Sequence, residues 1–73
     1  MKRYELADRG FYGFNFKDIY GEKCSIQESS LATKDALWLG NDENRMHIDK
    51  LLANELIRLL KYFCKHGKLP EKP

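Results

Sequence analysis

The residues most capable of chemistry lie in the polar string 21–30 and just beyond it. Cys24, Ser25 and Ser29 are nucleophile types, and His47 or His66 can act as the base that activates such a nucleophile. A nucleophile–base pair works only when the fold holds the two groups together, and this spacing does not fix that geometry. A chain of 73 residues seldom builds a closed, water-excluding cleft. We therefore interpret Cys24 and Cys64 as buried free thiols and predict no catalytic residues and no enzyme activity.

Metal binding has a weaker signal. Asp42, Glu43, His47 and Asp49 lie near one another and offer carboxylates and an imidazole. Their spacing matches neither an EF-hand loop nor a zinc site, and the two cysteines form no CxxC pair. The pattern is typical of a turn followed by a helix cap. We predict no metal site and no cofactor.

Positive charge is concentrated in the C-terminal third of the chain. Basic residues there recur at i, i+3, i+7 and i+10, which would place them on one side of a helix: Arg58, Lys61, Lys65 and Lys68. Such a stripe can bind phosphates with salt-dependent affinity. A net charge of +2 is too balanced for a whole-surface nucleic-acid binder, and no RNP-like aromatic motif is present. Nucleic-acid binding through this stripe is the alternative function.

Protein binding is the favoured function. Strict alternation from Cys24 onward places polar side chains on one side of a predicted hairpin, with two further polar residues as neighbours on the sheet. A polar face of this kind suits a wet, hydrogen-bonded interface, and Trp38 is a residue type enriched at binding hot spots. The predicted protein-binding residues are Ser25, Gln27, Ser29, Arg45 and His47.

The elements that position these residues follow from the hydrophobic periodicity. Two alternating runs surround Gly21 and predict an antiparallel hairpin, with Cys24 and Ile26 facing the core. The short apolar run 36–39 predicts a third strand, which the turn signal Gly40-Asn41-Asp42 would end, and the alternating run 45–48 predicts a fourth strand. The fold class is α+β: a small antiparallel meander of three to four strands packed against one C-terminal amphipathic helix.

The helix has clear start and stop signals. Asp49 is a good N-cap and Gly67 a natural C-terminal cap. Between them, apolar residues follow helical spacing and predict one apolar side: Leu52, Leu56, Leu59, Leu60 and Phe63. Leu51, Ile57 and Cys64 widen this side. Two alternatives follow: a homodimer that covers what the sheet leaves exposed, or a monomer whose sheet covers the helix.

Length and composition set the organisation of the chain. A chain of 73 residues, 42% of them hydrophobic and 33% charged, predicts one globular domain. We expect an N-terminal arm or lead-in strand over 1–10, the β-meander over 11–48, the helix over 49–67 and a tail over 68–73. Neither a signal peptide nor a run of 18 apolar residues is visible, so we expect a cytoplasmic protein with no membrane partner.

Three strings together resemble a family of small, uncharacterised proteins of bacteriophages and prophages. The family pattern is similar to Tyr-Gly-x-x-Cys-Ser-x-Gln-Glu-Ser-Ser, then Trp-Leu-Gly, then Arg-Met-His before a Leu-rich helix. The matching residues here are Tyr20, Gly21, Cys24, Ser25, Gln27, Glu28, Ser29, Ser30, Trp38, Leu39, Gly40, Arg45, Met46, His47, Phe63 and Gly67. The segment 41–44 is shorter than the family pattern leads us to expect, which puts any function of that loop in doubt.

The resemblance implies an origin in a phage or mobile element and action inside a bacterial host cell. Small phage accessory proteins commonly bind host machinery, and this analogy concerns origin alone. We therefore expect a phage-type accessory protein that acts by stoichiometric protein–protein binding and inhibits a host defence complex, in the manner of an anti-CRISPR protein. The expected partner is a host bacterial protein or ribonucleoprotein complex.

Overall fold

A computed structural model describes residues 1–6, 10–31 and 33–72. Residues 7–9, 32 and 73, which belong to the predicted arm, loop and tail, lie outside this description. Five strands form one antiparallel sheet in the order β1-β2-β3-β4-β5, and a single helix follows them. The elements are β1 (Lys2–Leu6), β2 (Phe11–Lys17), β3 (Lys23–Glu28), β4 (Ala36–Asn41), β5 (Arg45–Asp49) and α1 (Lys50–His66). The α+β class is confirmed, with one strand more than the sequence predicts.

The register divides the sheet into two chemically different faces, because residues directly opposite one another point to the same side. We call one the polar face, after the polar residues that prevail on it: Tyr4, Phe11, Gly13, Asn15, Lys17, Lys23, Ser25, Gln27, Ala36, Trp38, Gly40, Arg45, His47 and Asp49. We call the other the apolar face, because its residues are mostly apolar apart from Arg3, Glu5, Glu28 and Asn41: Tyr12, Phe14, Phe16, Cys24, Ile26, Leu37, Leu39, Met46 and Ile48. The predicted alternation around the β2–β3 hairpin is confirmed, with Cys24 and Ile26 on the apolar side.

Side chains close the hairpin turns by accepting backbone hydrogen bonds. The Asp18 carboxylate accepts from the N–H groups of Tyr20 and Glu22, at 2.9 and 3.0 Å. The Asn41 side chain accepts in the same way from Glu43 and Asn44, at 3.0 and 2.7 Å. These Asx-type turns replace ladder bonds that the backbone loses where it reverses. They fix the register of β2 with β3 and of β4 with β5.

Gly40 lies within β4 and does not end it, contrary to the predicted turn at this position. Its φ of 145° is one that residues with a side chain rarely adopt. A Cβ atom here would also overlap the backbone oxygen of Asn44. Glycine is therefore required where β4 and β5 approach each other closely.

Both predicted caps of α1 are confirmed. Asp49 accepts a hydrogen bond from the N–H of Leu52 at 2.9 Å, and Gly67 ends the helix in a left-handed conformation. The Gly67 N–H donates to the Phe63 carbonyl at 2.7 Å. Described in full, α1 lacks the length and apolar content needed to cross a bilayer.

The contact between helix and sheet is smaller than the sequence predicts. The main contact of α1 is with β5, and none of its 17 residues, all of them described, is buried. The molecule is correspondingly elongated, with a radius of gyration of 13.9 Å against about 11 Å for a compact chain of this length. Among the side chains whose burial is described, Ile48 is the one buried hydrophobic residue, with 4% of its surface exposed. The apolar side of α1 is therefore largely exposed.

Candidate functional site

A row of five residues runs straight across the polar face, one from each strand. The register places Tyr4, Gly13, Gln27, Trp38 and His47 side by side. The Tyr4 ring lies over the backbone of β2, because a Cβ atom at Gly13 would lie 2.8 Å from that ring. The row thus presents aromatic rings toward both edges of the sheet, with an amide between them.

At the β4–β5 end of this row, three side chains form a stack. The rings of Trp38 and His47 are nearly parallel, with centroids 4.0 Å apart and an interplanar angle of 8°. The Arg45 guanidinium lies 5.2 Å from the centroid of the Trp38 ring, within cation–π range. Trp38 is half-buried, whereas Arg45 and His47 are exposed. We call these three residues the Trp38 stack.

Hydrogen bonds connect the Trp38 stack to β3. An Arg45 guanidinium nitrogen donates to Gln27 Oε1 at 3.3 Å, and Gln27 Nε2 donates to Ser25 Oγ at 3.0 Å. His47 Nε2 lies 2.8 Å from Ser29 Oγ. All five residues predicted for protein binding therefore lie on one side of the sheet. Hydrogen bonds link Arg45, Gln27 and Ser25 in one chain, and a separate contact links His47 with Ser29. We refer to this surface, with Trp38 added, as the candidate site.

Ser25 differs from the expectation in one respect. It lies on the predicted side of β3, but it is buried, with 4% of its surface exposed. Its neighbours across the strands are Asn15 and Gly40. The Ser25 hydroxyl therefore orients the Gln27 amide by accepting its hydrogen bond. The other, more exposed members of the candidate site remain available for contact with a partner.

Sequence reasoning missed Trp38 and Tyr4 as members of this surface. Trp38 was recognised as a hot-spot type, and the alternation along β4 could have placed it on the same side as His47. The signal was hidden because Gly40 was interpreted as a turn, which left the register between β4 and β5 open. Tyr4 lies in the segment predicted as an arm or lead-in strand, and its pairing with Gly13 is not visible in the sequence.

Of the nucleophile–base pairs considered from the sequence, the structure separates Cys24 from His47 but brings Ser29 and His47 together, with Ser29 Oγ 2.8 Å from His47 Nε2. Cys24 lies on the apolar face, half-buried, with its thiol 3.6 Å from the Glu22 carbonyl, whereas His47 lies on the polar face. Cys64 is an exposed free thiol, which corrects the expectation that both cysteines are buried. Within the described ranges, no group of three or more His, Cys, Asp or Glu residues is arranged to hold a metal ion.

The basic stripe is shorter than predicted. Arg58 and Lys61 lie on α1 with Lys65, but Lys68 follows the Gly67 cap and is outside the helix. Arg58 is also engaged within its own helix, since its guanidinium lies 3.1 Å from a carboxylate oxygen of Glu55. Two lysines remain as exposed, regularly spaced cations on this side of α1.

Ion pairs hold the start of α1 against the segment that precedes β4. Lys34 Nζ lies 3.5 Å from an Asp49 oxygen, and Lys50 Nζ lies 2.9 Å from an Asp35 oxygen. The hydrogen bond from the Leu52 N–H, aided by Lys34, lowers the pKa of Asp49 below its ordinary value. The bond to Asp35 raises the pKa of Lys50. Both groups are exposed to solvent, so these pairs orient the helix start and add little stability.

Comparison with known proteins adds no assignment to this geometry. No protein-family model, curated protein or solved structure matches the chain.

Proposed function

We propose that the chain is a binding protein that contacts a protein partner through the candidate site. The observation that carries this proposal is the Trp38 stack. Tryptophan and arginine are the residue types that most often dominate binding energy, particularly where a half-buried aromatic ring is surrounded by polar groups. The stack combines both types with an imidazole in one fixed arrangement.

The hydrogen bonds around the stack support the same proposal. Arg45 and His47 are long or mobile side chains that would otherwise lose rotamer freedom when a partner binds. Their bonds to Gln27 and Ser29 hold them in place before binding, which lowers that entropic cost. The free donors of Arg45 and the exposed rim of the ring can then bind carbonyl or carboxylate groups of a partner.

The biological setting of the proposal rests on the sequence resemblance to phage and prophage proteins. In this setting the chain is an accessory protein in the cytoplasm of a bacterial host cell, and its partner is a host protein or ribonucleoprotein. Stoichiometric occupation of a host defence complex would inhibit that complex without any catalytic group. The polar candidate site suits a partner surface rich in hydrogen-bonding groups.

The first prediction tests the candidate site directly. A tagged chain should co-purify one host protein or complex at a fixed ratio, and titration calorimetry should then give the dissociation constant. We expect Arg45→Ala to raise that constant about 30-fold, since loss of a hot-spot arginine costs about 2 kcal/mol or more. Arg58→Ala is the matched control, because Arg58 is a surface arginine on α1, and it should leave binding unchanged.

Two outcomes would contradict the proposal. One is that no host protein co-purifies and the double variant Gln27→Ala/Arg45→Ala retains the full cellular effect of the chain. The other is tight binding of single- or double-stranded DNA with a steep salt dependence that flattens when Lys61 and Lys65 are changed to Glu. The second outcome would assign the function to the basic side of α1.

A further inference from the structure

Two apolar surfaces of the chain are left uncovered. On the apolar face of the sheet, Phe14 is 38% exposed and Met46 is 52% exposed. On the apolar side of α1, Leu60 is 60% exposed and Phe63 is 51% exposed. A monomeric protein seldom leaves apolar patches of this extent in water, because each exposed ring or aliphatic side chain forgoes the free energy of burial.

The connection between sheet and helix explains why one surface does not cover the other. Asp49 is both the last residue of β5 and the N-cap of α1, so no loop residue separates the two elements. Connections that return a helix across its sheet usually need two to six residues. Two ion pairs, Asp49 with Lys34 and Lys50 with Asp35, also orient the helix start at the β5 edge. The helix therefore leaves the sheet without crossing its face.

The surface that the chain exposes in excess of a compact monomer is comparable in size to one side of an obligate interface. The accessible surface of the chain is 6389 Å². A folded monomer of 8.6 kDa is expected to expose only roughly 4,700 Å², so about 1,700 Å² per chain is in excess of that expectation. Two chains that each buried this excess would form an interface of about 3,400 Å², within the range of obligate homodimers.

We propose that the occupant of both surfaces is a second copy of this chain. In a twofold dimer, α1 of each protomer lies on the apolar face of its partner. This arrangement uses two surfaces that already belong to one chain, and the twofold axis makes the contact reciprocal. The polar face and the lysines of α1 remain outside the contact, so a dimer would present two candidate sites. The proposal does not depend on the proposed function.

A matched pair of leucines on α1 provides the test. Leu60 lies on the apolar side, whereas Leu51 lies nine residues earlier, half a turn out of phase, and is 79% exposed. Light scattering and sedimentation over a range of concentrations should show wild-type protein at twice its chain mass. We expect Leu60→Lys to raise the dimer dissociation constant at least about tenfold, and Leu51→Lys to leave it unchanged. Met46→Lys should weaken the dimer as Leu60→Lys does.

Three results would overturn the proposal. Wild-type protein that is monomeric at every concentration would exclude the dimer without reference to any variant. An equal effect of the Leu51 and Leu60 substitutions would show that the apolar side of α1 is not the contact. A Met46→Lys protein that remains fully dimeric would exclude the reciprocal helix-on-sheet arrangement. The Arg45→Ala titration reports on the candidate site alone, so failure of either proposal can be recognised separately.

Discussion

On the polar face of the sheet, neighbouring side chains are each other's partners: Arg45 binds Gln27, His47 contacts Ser29, and Trp38 stacks on His47. On the apolar face of the same sheet, Ile48 is buried, but Phe14 and Met46 remain 38% and 52% exposed. Because successive side chains of each strand point to opposite faces, the sheet has one surface whose side chains are held by one another and one that is partly uncovered. This difference matches the two roles that we propose, recognition for the polar face and assembly for the apolar face.

This comparison has a consequence for stability. Hydrogen bonds and stacks near a solvated surface contribute about 1 kcal/mol each at most, whereas burial of apolar side chains is the main source of folding free energy. A chain whose apolar face is open has little such burial as a monomer. The polar face can be complete in one chain, while the apolar face needs a second surface to become a core.

The largest expected effect on stability comes from Gly40, where the backbones of β4 and β5 approach each other closely. Gly40→Ala should lower the free energy of unfolding by about 3 kcal/mol, because the new Cβ overlaps the β5 backbone at an unfavourable φ. Gly21→Ala is the control, since Gly21 also has a positive φ of 87° but nothing lies near its missing side chain. It should cost about 1 kcal/mol in urea unfolding. Equal losses for the two variants would show that the close approach of β4 and β5 is unimportant.

Gly40 also shows how far the sequence could predict the fold. Period-two alternation and the Asp49 and Gly67 caps predict the hairpin, the later strands and the helix, because these signals are local. The β4–β5 register was missed because a glycine inside a strand has the same local signature as a turn. The pairing of Tyr4 with Gly13 was missed because it depends on contacts between distant parts of the chain.

The candidate site was predictable in part for the same reason. Gln27, Ser29 and their neighbours share a face by alternation, which the sequence shows directly. Two features depend on contacts between elements and could not be predicted. Ser25 is buried and accepts a hydrogen bond from Gln27, and α1 leaves much of the apolar face uncovered. The absence of a loop between β5 and α1 was visible only once the strand was known to run through Asp49.

A smaller effect compares one buried residue from each face. Ile48 on the apolar face and Ser25 on the polar face are each 4% exposed. Ile48→Ala should cost about 2 kcal/mol of unfolding free energy, the low end of the range for a buried isoleucine. Ser25→Ala should cost about 1 kcal/mol, through loss of the acceptor for Gln27.

The control for this pair is Ile19→Ala, since Ile19 is 91% exposed in the turn before Gly21. It should be nearly neutral in the same urea unfolding experiment. A cost for Ser25→Ala that equals or exceeds the cost for Ile48→Ala would reverse the comparison. Residues of the polar face would then contribute most of the folding free energy, and the proposed dimer would lose its energetic basis.

The smallest expected effect is a pH dependence at the point where the polar face meets the helix. The Leu52 N–H holds the pKa of Asp49 below its ordinary value of 3.8, so folding stabilises the ionised cap. That contribution is fully present above about pH 4 and is lost as the pH falls through the lower pKa of the folded state. Asp49→Asn keeps an acceptor for the Leu52 N–H but does not titrate there. Thermal unfolding followed by circular dichroism should therefore show a smaller drop in Tm between about pH 6 and about pH 2 for Asp49→Asn than for wild-type protein. Identical drops would mean that the Asp49 carboxylate contributes nothing to the helix start, and that the ion pair between Lys50 and Asp35 orients α1 without it.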